Sequence, residues 1–114
     1  MFRGTTHTLS FHITNEEIDF NNIKEAWISL KNKEIEYTWK MSAGRVMLNT
    51  EKKLIFVDLT QEETLSFSDD KAFTQLRLLL NNDTALASEI NIVRIKKILK
   101  DGVIELPEEP EPAL

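Results

Sequence analysis

Apolar and polar residues alternate along most of this chain with a period of two. From Thr5 to Ile13, Leu9, Phe11 and Ile13 fall on one side, with Thr8, Ser10 and His12 on the other. In a stretch rich in threonine and aromatics, that pattern predicts a half-buried strand. Further on, Ala26, Ile28 and Leu30 alternate with Glu25, Trp27 and Ser29. Ile35, Tyr37, Trp39 and Met41 then alternate with Glu36, Thr38 and Lys40. The short polar run Lys31-Asn32-Lys33-Glu34 between these two segments predicts a β-hairpin. Ile23, Trp27 and Leu30 also fit a helical spacing, so a helix competes for residues 16–31. The β-branched and aromatic content and the clean alternation just downstream favour the strand.

Val46 and Leu48 predict a short strand, and Asn49 to Lys53 a turn. Leu54 to Leu59 is strongly apolar, with Ile55, Val57 and Leu59 on one face and Leu54 and Phe56 on the other, a pattern that allows cover on both sides. Thr60 has Glu63 three residues on, the spacing of a capping box, so one turn of helix is expected at this corner with Leu65 and Phe67 tucked beneath it. Ala72 to Leu80 reads as a long strand, with Thr74, Leu76, Leu78 and Leu80 facing opposite to Phe73, Gln75, Arg77 and Leu79. Asn81-Asn82-Asp83 is a tight-turn signal, because Asn and Asp tolerate positive φ. Ala85 to Ile95 returns, but Ile90 and Ile92 share one parity while Val93 and Ile95 share the other. That change of phase predicts a β-bulge, or a strand covered on both sides. Ile98 and Leu99 are expected to close the fold.

The tally is about seven strands, and the expected architecture is all-β: a single immunoglobulin-like antiparallel β-sandwich over residues 1–104. The cysteine–tryptophan–cysteine signature of antibody domains is missing, so this expectation rests on strand number and spacing. Residues 105–114 hold every proline in the chain among acidic residues. Proline cannot donate to a sheet and the acids repel one another, which predicts a disordered acidic tail.

Charge narrows the choice of partners. The net charge is −5, yet residues 1–100 carry all 14 basic residues and 14 of the 19 acidic ones. The body is therefore formally neutral, and it offers no general attraction to a phosphate backbone. Nucleic acid is not an expected partner. No apolar run reaches the ~20 residues that span a bilayer, and the first residues lack the apolar stretch of a signal peptide. The expected location is the cytoplasm, with no membrane partner.

The residues that carry chemistry are sparse. There is no cysteine, and the only histidines, His7 and His12, are five residues apart and so on opposite strand faces. Acid pairs occur at Glu16-Glu17, Glu62-Glu63 and Asp69-Asp70, all in expected loops where carboxylates are simply solvated. Three scattered glycines cannot form a phosphate-binding loop. No catalytic, metal or cofactor site is expected. Arg94, Lys96, Lys97 and Lys100 read as lysine protection of a strand edge. The aromatics Trp27, Trp39 and Tyr37 are the candidate interaction surface. Trp27 is the most distinctive of them, being out of phase with Ala26, Ile28 and Leu30, which places it either on the outer face, where an aromatic serves an interface, or over the sandwich edge.

Four segments form an ordered set: Arg3-Gly4-Thr5-Thr6-His7-Thr8, Leu59-Thr60-Gln61-Glu62-Glu63-Thr64-Leu65-Ser66-Phe67, Gln75-Leu76-Arg77 with Ala85-Leu86-Ala87-Ser88, and Ile98 to Ile104. The set resembles small proteins encoded in prophage structural-gene clusters of Gram-positive bacteria. It departs from them at His7, where they usually have proline, and through residues 14–50. The resemblance implies a non-catalytic phage tail or baseplate component of immunoglobulin-like layout. Its implied partners are other phage structural proteins or further copies of itself in a homo-oligomer, and its implied location is the bacterial cytoplasm during expression and then the virion. It carries over no functional residue. The acidic tail raises an alternative, a phage-encoded regulatory binder or inhibitor of a host protein. An exposed Trp27 raises a third, a carbohydrate-binding module.

Overall fold

A computed structural model describes residues 1–105; the expected tail falls almost wholly in 106–114, outside the described residues. Eight strands form two antiparallel sheets. They are β1 (Thr8–His12), β2 (Ile23–Lys31), β3 (Glu36–Lys40), β4 (Val46–Asn49), β5 (Leu54–Asp58), β6 (Lys71–Leu80), β7 (Ala85–Ala87) and β8 (Asn91–Arg94). One short helix, α1 (Gln61–Leu65), joins β5 to β6. The smaller sheet runs β1-β5-β4. The larger runs β3-β2-β6, with β7 and β8 both paired to the far side of β6. The all-β expectation holds, and within the segment 16–31 the strand is Ile23–Lys31. Glu16 and Glu17 lie in a turn, and Phe20–Asn22 forms a single 3-10 turn capped by the Asp19 carboxylate.

Short turns join the neighbouring pairs β2–β3, β4–β5 and β6–β7, whereas β1–β5 and β2–β6 pair across longer connections. In the β2–β3 hairpin Leu30 lies opposite Tyr37. Its turn is held by the buried Asn32, whose Oδ1 accepts from the Glu34 and Ile35 amides at 3.0 and 2.9 Å. That Asx geometry is why asparagine works here. The β6–β7 turn places Asp83 at φ +64° and returns the Asp83 amide to the Leu80 carbonyl. The chain then needs an extra residue. Between the pairs Arg77–Ala87 and Thr74–Asn91, Ser88, Glu89 and Ile90 oppose Gln75 and Leu76. This bulge moves the inward phase from Leu86 to Val93 and Ile95, and it splits the expected single return strand into two.

The inner faces of both sheets meet in one core. Leu9, Phe11, Val46, Ile55 and Val57 come from one sheet, and Ala26, Ile28, Leu30, Ala72, Leu76 and Leu78 from the other. Each fully buried aliphatic contributes roughly 2 kcal/mol, so this layer outweighs any surface ion pair. Leu54 and Phe56 face outward and are only half buried, beside the exposed Met47. Among the described residues, no further layer therefore covers the outer side of the small sheet. No helix among the described residues is long and apolar enough to cross a membrane.

Candidate interaction face

The three candidate aromatics separate. Trp27 points to the outer face of the large sheet, between Lys40 and Arg77 on the neighbouring strands. Trp39 and Tyr37 point the other way, because they pair with Ile28 and Leu30, whose side chains face the core. Trp39 is 5% exposed. Tyr37 stacks on it with ring centroids 5.3 Å apart and planes within 7°. Of the three, Trp27 alone lies on an outer face.

What Trp39 faces is a polar knot built by the corner. Thr60 caps α1, accepting from the Glu63 amide, while Glu63 Oε1 accepts from the Thr60 amide at 2.9 Å. The same Oε1 accepts from Arg45 Nη2 at 2.6 Å, and Oε2 accepts from Trp39 Nε1 at 2.7 Å. Burial alone would raise the Glu63 carboxyl. The bonds from Arg45, the Thr60 amide and Trp39 outweigh it, and the group sits below its ordinary value. A carboxylate so occupied acts as a structural anchor, with its oxygens committed to fixed donors. The expected capping box is present, and it does more than cap.

Three of the four segments singled out in the sequence converge on this corner. Arg3 Nε and Nη2 donate to the Phe67 and Leu65 carbonyls, each at 2.7 Å, satisfying acceptors at the end of α1. Thr64 Oγ1 donates to the Thr5 carbonyl at 2.8 Å. Asp101 pairs with Arg3 Nη1 at 3.3 Å. The Gln61 side chain clamps the Ile104 backbone at both its amide and its carbonyl. Opening, corner and closing segments thus form one tertiary unit, and packing explains their residue types.

The remaining candidates are dispersed. His7 is half buried and His12 is exposed on the outer side of the small sheet. Burial, then the charge of the amino terminus, lowers the His7 pKa. Glu16 and Glu17 are exposed, and among the described residues no His, Cys, Asp or Glu cluster is arranged to hold a metal. Arg94 and Lys96 border an edge that the chain covers itself. Phe2 forms a parallel bridge with Lys96, and the Met1 amino group donates to the Arg94 carbonyl.

What the sequence reading did not single out is the company Trp27 keeps. Phe73, Ile90 and Ile92 are 42%, 63% and 53% exposed on the same outer face, and Phe73 lies directly opposite Ile92. The signal was available in the opposed parities of Ile92 and Val93. Beside Trp27 a depression of about 380 Å³ is lined by Ser29, Glu36, Thr38, Arg77 and Leu79. Lys31, Lys40, Lys71, Arg77 and Arg94 share this outward phase, against Glu25 on β2 and Glu36 on β3. The apolar group sits at the β6–β8 end of the face, separated from Trp27 by Ser29 and Gln75, and basic residues outnumber acidic ones around it. No protein-family model matches the chain, and no curated protein or solved structure matches it significantly.

Proposed function

We propose that the protein is a non-catalytic interaction module that packs its large sheet against an acidic surface of another protein, within a phage or prophage tail or baseplate assembly. The observation that carries the reading is the uncovered outer face, where Phe73, Ile90 and Ile92 stand exposed amid lysines and arginines. A contiguous exposed apolar patch with a polar rim marks an interaction site. The phage setting comes from the resemblance of the four sequence segments. The immunoglobulin-like layout has support from strand order. β1-β5-β4 against β3-β2-β6-β7 is the order of strands B, E, D against C′, C, F, G in a Greek-key sandwich of that type.

The test is co-sedimentation with particles or sub-assemblies from an induced lysogen. Wild type should co-sediment, and Phe73→Lys with Ile92→Lys should not, while keeping the wild-type circular dichroism. A chain absent from every particle fraction overturns the phage setting. Double-variant binding equal to wild type overturns the face. A second reading follows from Trp27 and its polar depression, which suit a sugar ring. A Trp27 fluorescence response to a glycan panel would favour it, and a flat response removes it.

A further inference from the structure

β1 lies at the margin of the small sheet and uses only one of its two sides. Its odd-numbered residues bond β5: the Ile13 amide donates to the Lys53 carbonyl and the Leu59 amide to the His7 carbonyl, both at 2.8 Å. The amides and carbonyls of Thr8, Ser10 and His12 therefore point away from β5. Among the described residues no backbone partner meets them. Natural edges are usually guarded by lysine, proline, a bulge or an inward charge. The sequence Thr-Leu-Ser-Phe-His of β1 has none of these.

Just inside this edge is an open groove of about 280 Å³ between the end of β1 and β7. It is lined on the apolar side by Ile13, Ile18, Leu76, Leu78 and Leu86. Strand geometry joins the two features. A strand added to β1 would satisfy Ser10 with its backbone and send every second side chain inward, towards the groove. The described residues at the amino end are bonded elsewhere. Residues 1–3 are bonded to Arg94 and Lys96. Residues 106–114 include Pro107, Pro110 and Pro112, each of which lacks the amide a ladder needs.

We propose that the β1 edge accepts one extended segment of another protein, free of proline and carrying aliphatic residues at alternate positions. The backbone of that segment pairs with Thr8, Ser10 and His12, and its aliphatics seat against Ile18 and Leu86. This site is separate from the outer face of the large sheet and goes beyond the reading built on that face.

The probe is a soluble peptide of alternating valine and threonine with terminal lysines, titrated into isotope-labelled full-length protein. The control peptide has proline at its centre. Amide exchange at Thr8, Ser10 and His12 should slow by about tenfold or more, with methyl shifts at Ile18 and Leu86 and none at Ile92. Ser10→Pro removes an outward amide without touching the β5 ladder and should abolish binding. Leu86→Lys leaves every β1 amide in place and should weaken it, so the test survives if one variant does not fold. No change at millimolar peptide overturns the proposal. So does protection confined to Ala85 and Ala87, the opposite lip of the groove. Protection at Ser10 that rises with protein concentration alone also overturns it, in favour of a second copy. Loss of the outer-face interaction would leave these outcomes unaffected.

Discussion

Ser88 and Leu76 exchange two hydrogen bonds across the bulge. The Ser88 amide donates to the Leu76 carbonyl at 2.8 Å, and the Leu76 amide donates to Ser88 Oγ at 2.9 Å. In a regular ladder the second bond would end on the Ser88 carbonyl. The extra residue turns that carbonyl towards Gln75 Nε2, 2.9 Å away, and the hydroxyl takes its place. Leu76 is buried, so its amide has no ready access to water. Ser88→Ala should therefore cost about 1–3 kcal/mol, the range for an orphaned buried donor. Ser88→Thr should restore part of it. Urea denaturation measures the cost, and faster exchange of the Leu76 amide would locate it. An alanine variant as stable as wild type would show that the hydroxyl does not hold the bulge.

Gly4 meets α1 at close range. Its φ is +72°, and a Cβ there would lie 2.9 Å from Ile98 Cδ1 and 3.0 Å from Leu65 Cδ2. The left-handed backbone alone costs an L-residue roughly 1–2 kcal/mol. The two flexible side-chain ends yield part of the crowding. Gly4→Ala should lose about 2 kcal/mol in total, read as a lower urea midpoint with an unchanged m-value. An unaffected midpoint would mean that the opening segment is not docked on the corner in solution.

Glu63 makes part of the stability depend on acid. Its folded pKa lies below the ordinary 4.5, so its contribution is complete above that value and is lost as pH falls through the lower folded value. Wild type should therefore lose stability below about pH 5 more steeply than Glu63→Gln. At neutral pH the glutamine variant should be weaker by about 2 kcal/mol, since it loses charge-assisted bonds from Arg45 and Trp39. Thermal melts of both proteins between neutral and acidic pH check the two statements. Parallel profiles would remove Glu63 from the account of acid sensitivity.

The two tryptophans should respond differently to a soluble quencher. Trp27 is partly exposed on the outer face and Trp39 is buried against Glu63. Iodide should quench Trp39→Phe strongly and Trp27→Phe weakly. Equal quenching of the two variants would contradict the strand phase from which the interaction face is built.

Much of this molecule was written locally. Period-two alternation located β1, β2, β3 and β6, and its choice of strand over helix in 16–31 is correct for Ile23–Lys31. Asn32 and Asp83 marked their turns through chemistry confined to a few residues. Thr60 and Glu63 announced the helical corner by spacing alone. The opposed parities of Ile92 and Val93 mark the two faces of β8, and the bulge lies before them, at residues 88–90. Period-two alternation likewise marked Trp27 as out of phase with Ala26, Ile28 and Leu30. Sequence parity assigns a side chain to one face or the other, however, and does not say which face meets the core.

That choice belonged to the tertiary structure. Tyr37 and Trp39 went inside because β3 pairs with β2 in the register that sets them beside Leu30 and Ile28. Arg3 found the carbonyls of Leu65 and Phe67, and Arg45 found Glu63, across separations that no local pattern encodes. The open edge of β1 is likewise a consequence of strand order, since an edge exists only once the other strands have taken their places. Local backbone preference thus determined the elements, and the burial of two sheet faces against each other decided what each element would touch.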